Sequence, residues 1–191
     1  MDIYITIHAT SEWNEKKLSQ GHCDTHLSTS GRRMAELLGQ RDDLSCIRQI
    51  ISSDLARARE TAQPLADRLG IEIIQDPDLR EGRWAHHHQD ASVPLLPFHG
   101  SFETHDDLKS RAARTLRRIA ENATVSPLLI VTHGAFLRHF FQSLGEPAAP
   151  YKGTRTALHR IRYEHGQWKI VSLNDDAHLS AFDKPVNQDA G

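Results

Sequence analysis

Two histidines and one arginine stand at positions of the sequence where a binding site for an anion is expected. His8 closes the apolar run DIYITIH, and His133 follows the run LLIVT and precedes Gly134 and a helical pattern. Arg57 lies near the start of another helical pattern, within SSDLARARETA. A helix N-terminus presents unpaired N–H groups and a partial positive charge, to which imidazole and guanidinium groups add donors. We therefore expect these residues to receive an anion together.

The elements that must position these groups alternate between strand and helix. Four β-branched or apolar runs predict strands, at residues 2–8, 47–51, 71–74 and 128–132. Helical patterns lie at residues 30–41, 55–69 and 106–122, and from Gly134 to Gly145. This order predicts an α/β fold, a three-layer αβα sandwich with a mostly parallel central sheet. Because such sheets bind ligands at the carboxyl ends of their strands, both histidines fall at the expected edge.

The C-terminal part of the chain departs from this alternation. Runs at 156–163 and 167–173 flank the turn residues Glu164-His165-Gly166, which predicts a C-terminal β-hairpin that extends the sheet. Residues 85–105 have mixed polarity and two prolines, and they predict a long loop of the kind that borders a substrate site. The polar tail, residues 181–191, is expected to be loose.

The composition fits one domain spanning residues 1–191. With 23 basic and 25 acidic side chains, the chain has no single-sign charge that would favour nucleic acid. No apolar run approaches the ~20 residues that cross a bilayer, and the first residues lack the features of a secretory signal. A domain of this size does not need its two cysteines, Cys23 and Cys46, to pair. We therefore expect a cytoplasmic protein without a nucleic-acid or membrane partner.

Several motifs, in order along the chain, resemble those of the histidine phosphatase superfamily, the phosphoglycerate-mutase-like group of phosphatases and cofactor-dependent mutases. The family's first motif, Arg-His-Gly followed by Glu, a Ser or Thr and an Asn, corresponds to IHATSEWN at residues 7–14. Further likenesses are GHCDTHLSTSGRRMAELLG at 21–39, SSDLARARETA at 52–62, Leu79-Arg80-Glu81, LLIVTHGAFLRHF at 128–140 and LNDDAHL at 173–179. The resemblance covers residues 2 to about 179.

The resemblance implies a role for each matched residue. His8 is the implied nucleophile, which attacks phosphorus and forms a phosphohistidine that water hydrolyses. His133 and Arg57 would donate hydrogen bonds to the phosphoryl oxygens, and Glu81 would protonate the leaving alkoxide and then activate water. The remaining implied substrate-binding residues are Ser11, Asn14 and Gly134. The resemblance implies no metal and no other cofactor, and its implied partner is a small phosphorylated molecule.

These residues also have simpler structural interpretations. His8 could bond to backbone at the end of its strand, and His133 could cap its own helix. Arg57 could pair with Glu60 or Asp54 on the surface, as arginines of exposed helices commonly do. The serine and asparagine of the first motif are favoured in turns for local reasons alone.

The cluster His86-His87-His88 invites a metal-site interpretation. Adjacent histidines point in different directions, so at most two of the three could ligate one ion. We therefore interpret this stretch as part of a solvated or substrate-facing loop, in which Trp84 and Phe98 shape a substrate pocket.

The first motif is where this sequence departs from the family. Ile7 stands where the family has arginine, and Ala9 and Thr10 replace the following glycine and glutamate. Loss of one charged hydrogen bond to a phosphate costs ~1.5–3 kcal/mol, a roughly ten- to few hundred-fold loss of turnover. Arg80 or Arg83, in the neighbouring loop, could supply the missing charge.

Three functions are therefore compatible with the sequence. The first is a phosphatase that acts on a small organic phosphate monoester through a phosphohistidine at His8. The second is a family member repurposed for a different, less anionic substrate or reaction, and the third is a non-catalytic phosphate- or ligand-binding protein. Retention of His8, Arg57, Glu81 and His133 favours the phosphatase over the other two. A phosphatase is also expected over a mutase, because the chain is short compared with the mutases it resembles and lacks their extra basic segments near the site. The sequence leaves open whether the chain forms a homodimer.

Overall fold

The computed structural model describes residues 1–84, 101–145 and 151–182, which build an α/β fold around a six-stranded sheet. The strands are β1 (Asp2–Ile7), β2 (Gln49–Ser52), β3 (Ile73–Gln75), β4 (Leu128–Thr132), β5 (Leu158–Glu164) and β6 (Gln167–Asp175). Their order across the sheet is β3-β2-β4-β1-β5-β6. The first four of these are parallel, whereas β5 runs antiparallel to both β1 and β6. The predicted fold class, including the C-terminal hairpin, is confirmed.

Helices cover both faces of this sheet. They are α1 (Glu12–Glu15), α2 (Thr29–Gly39), α3 (Ala56–Leu69), α4 (His105–Asn122) and α5 (Gly134–Ser143), with short 3-10 turns at 42–44, 77–79 and 177–181. One core lies between the sheet and the pair α2 and α3, and a second core lies between the sheet and the pair α4 and α5. The three layers of the predicted sandwich follow from these two cores.

Strand β4 shows why the parallel strands are apolar at nearly every position. All five of its residues are buried. Leu129 and Val131 belong to the core beneath α2 and α3, and Leu128 and Ile130 belong to the core beneath α4 and α5. Successive side chains of a strand point to opposite faces, so a strand covered on both sides needs apolar residues throughout. The predicted bounds of this strand, 128–132, are confirmed.

Other boundaries differ from the predicted ones by a few residues. Strand β2 begins at Gln49, two residues later than predicted, because the N–H of Ile47 bonds back to the Leu44 carbonyl in a turn. In the hairpin, His165 and Gly166 both have positive φ angles, 50° and 79°, as a two-residue turn matching the strand twist requires. Of the predicted loop and tail, residues 85–100 and 183–191 lie outside the described residues.

The structure also describes the two cysteines and the lengths of the helices. Cys23 and Cys46 are both free thiols, the first buried and the second exposed. Within the described ranges, every helix is too short or too polar to span a bilayer.

The N-terminus of α2 packs against the loop that follows His8. Ser28 caps the helix by accepting the N–H of Gly31 at 3.1 Å, and its own N–H donates to the carbonyl of Thr10 at 3.0 Å. A Cβ atom placed on Gly31 would lie 1.8 Å from that carbonyl oxygen. The glycine therefore permits the close approach through which α2 supports the loop after β1.

We expect Gly31→Ala to lower the free energy of unfolding by about 3 kcal/mol, because the added methyl group must displace backbone from a close-packed contact. Urea unfolding followed by circular dichroism measures this change. Arg33→Ala, on the same helix but exposed, is the control and should change the stability by less than about 0.5 kcal/mol. Equal stability of Gly31→Ala and the unaltered protein would show that α2 does not approach the loop this closely.

Candidate active site

A cavity of about 290 Å³ opens at the edge of the sheet where β1 and β4 end. This is the edge at which ligands bind to open α/β sheets. Most of its wall is polar. The hydrogen-bonding side chains that line it are His8, Asn14, Ser19, Gln20, Arg57, Glu81, Trp84, Arg138, Tyr151 and Arg155.

The imidazole of His8 is held with one nitrogen free. Its Nδ1 lies 2.7 Å from the carbonyl oxygen of Ala9, and a carbonyl only accepts, so Nδ1 carries the proton and Nε2 keeps its lone pair. Burial, together with the charges of Arg57 and Arg155, holds the pKa of His8 well below its ordinary value of 6.5. At neutral pH this ring is therefore an uncharged base with an available lone pair.

His133 lies next to His8 but behind the cavity wall. The two ring centres are 5.1 Å apart, and His133 is completely buried. Its Nε2 forms a hydrogen bond of 2.8 Å with the hydroxyl of Ser53, which also accepts the N–H of Leu55 at 3.3 Å. The other ring nitrogen of His133, Nδ1, has no hydrogen-bond partner among the described residues. His133 makes no side-chain cap to its own helix, contrary to the simpler interpretation.

Arg57 reaches the cavity from the first turn of α3 and is completely buried. Its two Nη atoms each donate to a backbone carbonyl at 2.8 Å, those of Gly21 and Cys23. Its Nε–H has no acceptor among the described residues. Burial lowers the pKa of this guanidinium to about 10, so it stays charged at neutral pH. The simpler interpretation, in which Arg57 pairs with Glu60 or Asp54 on the surface, is wrong, because the chain buries this cation at the cavity without an ion-pair partner in the described ranges.

Glu81 is the only carboxylate that lines the cavity among the described residues. Its Oε1 accepts backbone N–H groups of Gly82 (3.0 Å), Ala135 (3.1 Å) and Phe136 (3.2 Å). The carboxylate thus occupies N–H groups at the start of α5 that could otherwise receive an anion. Gly134, directly before them, lines the cavity and leaves it open, since a Cβ there would meet no atom within 4 Å.

The first-motif serine and asparagine take different positions. Ser11 caps α1 and donates from its hydroxyl to Gln20 Oε1 at 2.7 Å, and it is not part of the cavity wall, contrary to the prediction that it binds substrate. Asn14 does line the cavity. Its Oδ1 accepts the N–H of Ser11 at 3.0 Å, which leaves its Nδ2 amide without a partner among the described residues. Ser11 therefore orients two amide side chains of the cavity, Asn14 and Gln20.

The sequence analysis missed Arg155, whose guanidinium lies beside the unprotonated nitrogen of His8. Its Nη1 lies 3.5 Å from His8 Nε2. The two candidates named for the missing charge are wrong: Arg80 forms a two-fold ion pair with Asp54, and Arg83 lies over the ring of Phe102 at 5.3 Å. Neither Arg80 nor Arg83 lines the cavity.

The outer part of the cavity wall offers mixed chemistry. Trp84 packs against His105 with ring centres 4.7 Å apart and ring planes tilted by 44°, and Arg138 is exposed on α5. The hydroxyl of Tyr151 is buried and has no partner among the described residues. These side chains can meet an organic group that extends outward from the anion site.

His86, His87, His88 and Phe98, which the sequence analysis places in a substrate-facing loop, lie outside the described residues. In the ranges that the structure does describe, no three His, Cys, Asp or Glu side chains are grouped so that they could hold a metal ion.

Four buried histidines should make the stability of this protein depend on pH. Burial holds the pKa of His8 and His133 well below 6.5 and lowers that of His22 and His159 to about 4. Histidines of the unfolded chain have a pKa of about 6.5, so below that pH the unfolded chain binds more protons than the folded chain does. The free energy of unfolding therefore decreases as the pH falls below that value. Each histidine contributes up to about 1.4 kcal/mol per pH unit. Urea unfolding between about pH 7 and pH 5 should show this loss, and a flat profile would contradict the neutral burial of these rings.

Comparison with known proteins gives a single family. The profile of the histidine phosphatase superfamily (branch 1) matches residues 3–176. A curated relative, the probable phosphoglycerate mutase GpmB of Photorhabdus laumondii, is 30% identical over 94% of this chain and 95% of its own length.

Two solved structures extend the comparison to the fold. YhfR of Bacillus stearothermophilus superposes with a TM-score of 0.80 at 25% identity, covering 93% of this chain and 98% of that one. A mycobacterial glucosyl-3-phosphoglycerate phosphatase in complex with VO3 superposes with a TM-score of 0.77 at 22% identity, covering 92% and 99%. The second likeness shows a shared fold.

Proposed function

The chain belongs to the histidine phosphatase superfamily, and on that premise we propose that it hydrolyses a small organic phosphate monoester through a phosphohistidine at His8. The observation that carries the proposal is the unprotonated Nε2 of His8 in a cavity lined by three arginines, of which Arg57 and Arg155 act electrostatically on His8. A cation held out of water without a counter-ion is costly, and a phosphate dianion would supply the negative charge to both Arg57 and Arg155. The volume, about 290 Å³, suits a small substrate.

In the first step, His8 Nε2 attacks phosphorus in line with the leaving oxygen. The new P–N bond forms as the ester P–O bond breaks, and the leaving alkoxide takes a proton from the Glu81 carboxyl group. The Nε–H of Arg57, which has no acceptor among the described residues, supplies a donor to the phosphoryl oxygens. His133, whose ring centre lies 5.1 Å from that of His8, is proposed to approach the same oxygens through its Nδ1 once substrate is bound.

In the second step, water attacks the phosphohistidine. The Glu81 carboxylate accepts the proton of the attacking water, the P–N bond breaks, and His8 regains its lone pair as inorganic phosphate leaves. Glu81 is proposed for both proton transfers because it is the only carboxylate of the described cavity wall. The two free thiols are consistent with a reducing compartment, and we propose the cytoplasm.

The proposal is tested by measuring phosphate release from a panel of monoesters, including alkyl, aryl, phosphoamino-acid and phosphoglycerate substrates. We expect release from at least one class, with competitive inhibition by vanadate, which mimics the transition state. Isomerisation of a phosphoglycerate without net phosphate release would instead indicate a mutase, as GpmB is named. Tight vanadate binding without turnover would indicate a non-catalytic binder, and no binding of either anion would indicate a repurposed site.

Glu81→Gln should separate substrates by their leaving groups. The amide cannot supply a proton, so release from alkyl esters should fall on the order of 10²-fold, whereas an aryl ester with an acidic phenol should be nearly unaffected in the first step. Initial rates on p-nitrophenyl phosphate and on an alkyl phosphate make the comparison. An equal loss on both substrates would show that Glu81 only positions α5.

A further inference from the structure

Arg155 is held beside His8 by the way the chain enters β5. The N–H of Thr156 donates to the carbonyl of Ile7 at 3.2 Å, and the hydroxyl of Thr6 donates to the carbonyl of Ala157 at 2.8 Å. Thr156 is completely buried with a positive φ of 58°, an uncommon conformation for a threonine. These contacts fix the backbone directly after Arg155 against the end of β1.

The guanidinium of Arg155 is half-buried in the cavity wall and lacks an ion pair. Within the described ranges, no carboxylate lies within 4 Å of it, and its one side-chain contact of hydrogen-bonding range is His8 Nε2 at 3.5 Å. Glu81 acts on it only through longer-range electrostatics. A cation held away from water with no counter-ion is unfavourable unless a ligand supplies the negative charge.

We propose that Arg155 clamps the phosphoryl group of the substrate and replaces the arginine that the family places at position 7. Ile7 cannot do so, because its side chain is apolar and belongs to the core shared with α4 and α5. Arg57 approaches the anion from α3, and Arg155 approaches it from the entry to β5, so that two guanidinium groups hold the phosphoryl oxygens next to His8. This inference rests on the proposed function for its substrate, and its test also has a readout that needs no turnover.

The chemistry assigned to Arg155 is that of a charged donor. Its Nη1 lies 3.5 Å from His8 Nε2, and that nitrogen must be clear of the guanidinium before it can attack phosphorus. An anion in the cavity draws the guanidinium onto its oxygens and frees Nε2, so that binding of the substrate prepares the nucleophile.

The test compares Arg155→Met with Arg117→Met, which removes one charge from an exposed position of α4 outside the cavity. Calorimetric titration with inorganic phosphate and kcat/KM on the best monoester are measured for both, well above neutral pH. We expect Arg155→Met to weaken phosphate binding and lower kcat/KM by roughly 10- to 150-fold, the effect of one charged hydrogen bond. Arg117→Met should change neither quantity by more than about twofold, and Arg155→Lys, which keeps the charge without the planar fork, should fall between.

Unchanged phosphate affinity in folded Arg155→Met overturns the proposal. A loss of kcat/KM confined to the acid limb of its pH profile also overturns it, because Arg155 would then only tune the ionisation of His8. Absence of turnover in the unaltered protein, with phosphate bound, would count against the proposed function alone. Should Arg155→Met fail to fold, phenylglyoxal modification of the unaltered protein provides the test. Phosphate should then slow modification of Arg155 and leave that of Arg117 unchanged, and equal rates at Arg155 with and without phosphate would overturn the proposal.

Discussion

Replacing His8 by alanine is expected to reduce phosphate release by at least ~10⁴-fold, because the mutation removes the atom that forms the covalent bond. In the structure that atom, Nε2, is unprotonated, since Nδ1 carries the proton and donates to the carbonyl of Ala9. The depressed pKa of the buried ring keeps it in this form throughout the neutral range. The measurement is the steady-state rate on the best monoester of the panel.

The fold and the affinity for phosphate should survive this substitution, since Arg57 and Arg155 remain. Added imidazole can enter the space left by the His8 ring, and we expect it to restore a measurable part of the activity. His26→Ala is the control, because His26 is exposed and lies outside the cavity. Activity of His8→Ala within about tenfold of the unaltered protein would rule out nucleophilic catalysis by this residue.

Replacing Arg57 by methionine is expected to lower kcat on the order of 10³-fold, through loss of both charge and donors at the developing oxyanion. The same change should destabilise the protein, because the carbonyls of Gly21 and Cys23 lose their donors in a buried setting. Kinetics on the best monoester and urea unfolding measure the two effects.

Two comparison variants separate these contributions. Arg57→Lys restores the charge but cannot reproduce the paired bonds to both carbonyls, so we expect partial activity with reduced stability. Arg59→Met lies on the same helix, away from the cavity, and should leave kcat unchanged. Equal kcat in Arg57→Met and the unaltered protein would mean that the buried guanidinium serves only to hold residues 21–23 in place.

The part of the site that could be predicted from the sequence consists of residues that directly follow strands of the sheet. His8 and His133 follow β1 and β4, which are parallel neighbours in the sheet, so their convergence follows from the α/β pattern. Arg57 follows β2 on the other side of β4 and reaches the same edge. The hydrophobic pattern fixed these strands because each is covered on both faces.

Arg155 could not be identified in the same way, because no motif marks it and 147 residues separate it from His8. A signal does exist in the topology. Since β5 runs antiparallel to β1, residues just before β5 lie at the edge where β1 ends. The sequence analysis predicted the hairpin but not that its first strand pairs with β1. Without that pairing, the position of Arg155 next to His8 could not be predicted.

Ser11 shows that a motif match alone does not place a residue in the cavity wall. Its hydroxyl is used within the loop to orient Gln20 and to cap α1. The sequence cannot separate this supporting role from direct binding, because serine in a turn is favoured for both.

The most direct test of the account is to mix the protein rapidly with its best monoester, quench in alkaline denaturant, which preserves a P–N bond, and map the peptides by mass spectrometry. The account predicts one phosphoryl group on the peptide that contains His8, formed before steady state, discharged on further incubation, and absent in His8→Ala. Phosphate release by the unaltered protein with no phosphorylated peptide, or with the label on another residue, would contradict it.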